Sequence, residues 1–112
     1  MIDDSMSIGF VSGDEFSREQ AEKMLAFYAR TLDDLGYPAA PFPEVDRPVR
    51  GSVLRGAKFE SLCHARWMCE ETLRFVREGR FAKAYRWIGM VQGLLFMGGV
   101  FSIEQLKRHN RA

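Results

Sequence analysis

The stretch RFAKAYRWIGMVQGLLFMG, residues 80–98, decides how this chain folds. It is apolar on almost every side of a helix, and past its first residue only Lys83, Arg86 and Gln92 interrupt it. A helix apolar all round has to be buried, in a protein core or in a membrane. A membrane span needs roughly 20 apolar residues, and a cation near its middle costs at least about 2.5 kcal/mol on insertion scales. The stretch is too short and too charged for that. It is expected to be the core helix of a protein with no membrane partner.

Two features inside the stretch need an account. Gly89 and Gly93 form a G-x-x-x-G. Each glycine costs about 1 kcal/mol relative to Ala in a helix interior. Close packing would return that cost, either against a second backbone of the same molecule or against another copy. At about 100° per residue, Phe81, Tyr85, Ile88, Gln92, Leu95 and Phe96 fall on one face. Gln92 is then an amide among apolar groups, and it must be hydrogen-bonded or cost several kcal/mol. A backbone group, Tyr85 or Arg66 is the expected partner, with ligand recognition as the other reading. Arg66, Arg86 and Gln92 form the expected set of buried polar groups, where a small ligand could bind.

Upstream, a second long helix is expected over about 53–78. Phe59, Leu62, Ala65, Cys69, Leu73 and Val76 make its apolar stripe, widened by Met68 and Phe75. Arg66 falls inside the stripe and calls for a carboxylate or carbonyl partner. Arg77-Glu78-Gly79-Arg80 closes this helix and opens the next, giving an αα-hairpin. Trp67 lies about 140° from Leu62 on the wheel, beside Glu70, Glu71 and Arg74. A Trp on the polar side has no partner within its own helix, and Trp is enriched at binding hot spots. Trp67, Glu70, Glu71 and Arg74 are therefore the expected partner interface.

Ser17 and Gln20 form a capping box. Ala21, Met24, Leu25, Tyr28, Leu32 and Leu35 then follow helical spacing to Gly36, so an amphipathic helix is expected over 18–35. Residues 1–16 read as a loose arm without a signal-peptide pattern. Residues 37–51, YPAAPFPEVDRPVRG, hold all four prolines and form a stiff, extended connector. It is long enough to let the first helix pack on a second copy. A further capping box, Ser102 with Gln105, opens a short helix over 103–110, with Ile103 and Leu106 inward.

At 112 residues the chain is one domain with a modest core. Residues 1–46 hold ten acids and three bases, net −7, while residues 47–112 hold thirteen bases and five acids, net +8. Either the halves face each other, or the basic half meets nucleic acid or an acidic protein. Cys63 and Cys69 lie on different faces of one helix and cannot pair. Reduced thiols fit a cytoplasmic protein. No zinc spacing, phosphate loop, G-x-S-x-G or H-E-x-x-H is present. Glu70, Glu71 and Glu78 lack the E-x-x-D that helical pyrophosphohydrolases need. Adjacent Cys63 and His64 diverge by about 100° on a helix, which spoils a nucleophile set with Glu71. No enzyme, metal or cofactor is expected.

The segment from HARWMCEE (residues 64–71) to KAYRWIGMVQGLLFMGGVFSIEQLKRHNR (residues 83–111) resembles small bacteriophage and prophage proteins of unassigned function. These carry an RWLGFxQG-like segment, a Gly turn and a Ser/Thr-Ile-x-x-Leu helix. The matching residues are Lys83, Ala84, Arg86, Trp87, Gly89, Gln92, Gly93, Ser102, Ile103 and Leu106. The likeness covers roughly residues 60–111. It implies a phage setting in the host cytoplasm and transfers no chemistry.

The expectation is an all-α domain: a core helical hairpin, an N-terminal amphipathic helix and a short C-terminal helix. Its expected work is protein–protein interaction, binding or modulating a host protein, with a homodimer also expected. The alternative is a helix-turn-helix-like regulator whose C-terminal helix meets nucleic acid through Gln105, Lys107, Arg108 and Arg111.

Overall fold

The computed structural model describes residues 17–42 and 57–111. Within them the chain is all-α, with no strand among the described residues. The helices are α1 (Arg18–Asp34), α2 (Lys58–Arg77), α3 (Phe81–Met97) and α4 (Ile103–His109). The arm 1–16, connector residues 43–51 and the expected helical start at 53–56 lie outside the described residues. Ala57 is non-helical and caps α2 without a side-chain bond, so α2 begins at Lys58.

Local chemistry sets these limits. Ser17 Oγ accepts from the Gln20 N–H at 3.1 Å, and Gln20 Oε1 accepts from the Ser17 N–H at 2.8 Å. Ser102 and Gln105 repeat the arrangement at α4. The three longer helices end alike. Tyr37, Arg80 and Val100 donate their N–H groups back to Leu32, Phe75 and Leu95, in Schellman closures. Each closure needs a residue in the left-handed region, and Gly36, Gly79 and Gly99 supply it.

α2 is the axis of the fold, with α1 and α3 both packing along it. Its buried arc is accordingly broader than one stripe. Ala65, Cys69, Thr72 and Val76 run down its middle and Ser61 is also inside, while Phe59 stays exposed against Tyr37. α1 buries Ala21, Met24, Leu25, Tyr28 and Leu32. The acidic and basic halves meet where Arg66 of α2 grips Asp33 of α1 (2.8 Å) and Glu70 (3.0 Å).

α3 departs from expectation in two respects. It is buried on one side only, through Ala84, Ile88, Val91, Gln92 and Leu95, and Phe81 and Phe96 are exposed. Ile88, Gln92 and Leu95 lie inward as their spacing implies, but the apolar residues on either flank do not mark where that side ends. Close packing within the molecule is absent at Gly93, where a Cβ would meet nothing within 4 Å. The tight contact is at Gly98, where a Cβ would lie 2.8 Å from Leu62 Cδ2.

These two glycines should respond oppositely to alanine. Gly93→Ala should raise unfolding free energy by about 0.5–1 kcal/mol, because it only lowers chain entropy. Gly98→Ala should lower it by about 1–3 kcal/mol by overpacking Leu62. Urea unfolding of both variants checks the signs.

Candidate functional site

The chain's most constrained chemistry lies where α1, α3 and α4 meet. Gln92 is fully buried on α3. Its Nε2 donates to Tyr28 Oη of α1 and to Asn110 Oδ1 just beyond α4, both at 2.9 Å, and approaches Met24 Sδ at 3.6 Å. Asn110 Nδ2 donates back to Gln92 Oε1 at 3.3 Å. Tyr28 Oη lies 2.8 Å from His109 Nδ1. The buried Tyr28 hydroxyl has no other acceptor among the described residues, so its proton is directed to Nδ1 of the neutral His109 ring. The imidazole proton is thereby placed on Nε2. Phe27, Tyr28 and Phe101 surround the His109 ring at 4.8–5.5 Å between centroids. Burial pushes the Tyr28 phenol above its ordinary range and, together with Arg108, holds His109 below its own.

Gln92 therefore is the buried amide expected from the sequence, but its partners are Tyr28 and Asn110 rather than Tyr85 or Arg66. Arg86, expected to be buried, is exposed on the outer side of α3. Arg66 is half-buried and points to Asp33 and Glu70. The three do not form one site. His109 and Asn110 belong to the network although neither is among the residues the sequence singles out. Ser102 and Leu106 fix the phase of α4, and that phase was the signal that could have placed Asn110 inward.

The expected interface around Trp67 is divided. Trp67 is half-buried, with its ring 5.3 Å from His64 and 6.2 Å from Trp87 of α3. It packs within the molecule and is not a free anchor. The wheel placed it opposite one stripe, but α2 is packed on more than one side. Glu70 turns to Arg66, whereas Arg74 binds Glu71 at 2.6 Å and Glu78 at 3.2 Å. Phe75 carries Arg74, Arg80 and Lys83 over its ring within about 5 Å, a cation–π cluster.

The connector is fastened to α2. The Ala40 N–H donates to the Cys63 carbonyl at 3.2 Å, and the Phe42 N–H donates to His64 Nδ1 at 2.9 Å. His64 is thus a clip, held neutral by burial that depresses its pKa. Burial raises the Cys63 thiol and pushes Cys69 up to about 12, which keeps both as unreactive thiols. Among the described residues no group of three His, Cys, Asp or Glu side chains could hold a metal ion.

Of the expected nucleic-acid contacts, Gln105 and Arg108 are exposed and Lys107 is half-buried. Gln105 Oε1 is occupied by the Ser102 N–H. A bidentate adenine contact needs that oxygen as well as the amide nitrogen, so it would break the cap. Arg111 stands apart, beside Lys23 of α1.

The outer side of α3 gathers large apolar groups. Met90 is 53% exposed, Met97 51% and Phe96 42%, with exposed Gly93 among them and Arg86 one turn before Met90. No helix among the described residues is long and apolar enough to cross a membrane. Comparison of the chain with protein-family models finds no match, and searches of curated proteins and of solved structures find none either.

Tyr28→Phe should cost about 1–3 kcal/mol in urea unfolding, because it strips His109 Nδ1 of its partner and Gln92 of one of two. Stability should also fall with acid. His64 and His109 both titrate below 6.5 in the fold, so the unfolded chain binds more protons as pH drops past that value. Their stabilising contribution is full above the unfolded pKa and is lost as pH falls through the folded ones. The melting midpoint should be flat between about pH 8 and about pH 7 and decline below. His64→Asn, whose Oδ1 can still accept from Phe42, should remove part of that decline.

Proposed function

We propose that the chain works by binding another protein through the outer side of α3, in the phage setting its C-terminal half suggests. The observation that carries this reading is the exposure of Met90 and Met97, two turns apart on the outer side of α3, with exposed Phe96 at the flank. Single exposed apolar residues are ordinary, whereas a contiguous apolar stripe marks an interaction surface. Gly93 leaves a bare strip among them where a partner's backbone can approach. Arg86, at one end, has no ion-pair partner among the described residues. The surface thus suits an amphipathic helix of a host protein, with apolar anchors along one face and a carboxylate set to meet Arg86. Methionines fit such a task because they adapt to the shape of a partner.

The test begins with capture from bacterial lysate by the intact chain carrying a photo-crosslinker at Met90. The captured protein is then purified and its affinity measured. Met90→Glu and Met97→Glu should each weaken binding about tenfold or more, while Trp67→Ala should weaken it little. Two outcomes overturn the reading. One is a Met90-dependent dimer in light scattering, which would make a second copy the occupant. The other is a salt-sensitive gel shift lost on changing Lys107, Arg108 and Arg111, which would favour the nucleic-acid alternative.

A further inference from the structure

Beside the buried network, α1 and the end of α4 enclose an open cleft of about 250 Å³. Its walls are Gln20, Lys23, Met24 and Phe27 of α1, with His109 and Arg111 opposite. The first four fall at i, i+3, i+4 and i+7, one side of a helix. The volume is just below the roughly 300–1,000 Å³ usual for drug-sized ligands.

Every polar side chain in this wall can donate. Gln20 Oε1 is occupied by the Ser17 N–H, which leaves its amide N–H groups outward. Tyr28 fills His109 Nδ1, so the free ring nitrogen carries the proton. Lys23 and Arg111 are donors in any state, and among the described residues neither has an ion-pair partner. Among the described residues no carboxylate lines the cleft. Its other surfaces are apolar: Met24 is nearly buried and the Phe27 ring is partly open to solvent.

We infer that the cleft binds a small anion attached to a flat apolar body, a carboxylate or a phosphate monoester. The anion lies between Lys23 and Arg111, taking hydrogen bonds from Gln20 and His109, and the apolar part rests on Phe27 and Met24. Charge-assisted bonds to Arg and Lys are the strong ones available here. A ring on Phe27 adds specificity that a bare ion cannot use.

The experiment is a titration of the intact, isotope-labelled protein with phenyl phosphate, benzoate and inorganic phosphate, followed by NMR. Phenyl phosphate or benzoate should give saturable shifts at Lys23, Phe27 and His109, and whichever binds tighter identifies the anion. Inorganic phosphate should bind about tenfold more weakly than phenyl phosphate. Lys23→Ala and Arg111→Ala should each weaken the aryl anions about tenfold. Phe27→Ala should erase the preference for them over inorganic phosphate. Three results would overturn the inference: no saturable shift with either aryl anion, affinity unchanged in the Lys23→Ala, Arg111→Ala double variant, or shifts centred on Lys107 and Arg108, which would show only diffuse attraction to the basic tail.

Discussion

A primary amide buried in an apolar interior has two donors and two acceptor positions, and Gln92 fills both donors and one acceptor position from two other elements at once. Tyr28 comes from α1 and Asn110 from the residue after α4. The apolar contacts along α3 do not demand one register, since a helix so uniformly apolar could slide or turn with small loss. The amide does demand one. Displacing α1 or α4 leaves a polar group unpaired at several kcal/mol, more than the few apolar contacts regained. α4 depends on this most. A seven-residue helix cannot persist alone, and it is held by Leu106, the Ser102 cap and the Asn110 amide together.

A second set of contacts holds the other end. Asp33 lies in the last turn of α1, where a negative charge opposes the helix dipole. Arg66 crosses from α2 and lowers the Asp33 pKa by donating to it. An exposed pair of this kind adds little to stability. Its use is directional, since it offsets the misplaced charge and sets α1 against α2. The connector does the same with backbone groups. Proline forbids it a helix, so its N–H groups need partners elsewhere, and the Cys63 carbonyl and His64 ring provide two.

Helix ends were legible in the sequence because their causes are local. Ser17 with Gln20, Ser102 with Gln105, and the glycines at 36, 79 and 99 each act within a few residues. The αα-hairpin followed from the Gly79 turn, and an inward Gln92 followed from the apolar residues around it. What could not be read depends on distant parts of the chain. His64 accepts from Phe42, 22 residues away, and Tyr28 reaches His109 across 81. Trp67 looked unpartnered because a wheel assumes one packed side, while α2 lies between two helices. Gly93 could pack on its own molecule or on another copy, because apolar neighbours do not say which way a helix turns.

The two sides of α3 therefore pose different physical questions. The inward side is accounted for within the chain: Ala84, Ile88, Val91 and Leu95 are fully buried, and the amide among them is paired. The outward side has no such account. Gly93 costs helix stability of about 1 kcal/mol and touches nothing that a methyl group would disturb. Met90, Phe96 and Met97 leave roughly half their surface in water, where apolar area is unfavourable by about 25 cal/mol per Å². Ala or Lys at these positions would favour the isolated fold. A side that lowers the stability of the free chain, next to one so closely specified, supports the proposal that a partner covers it.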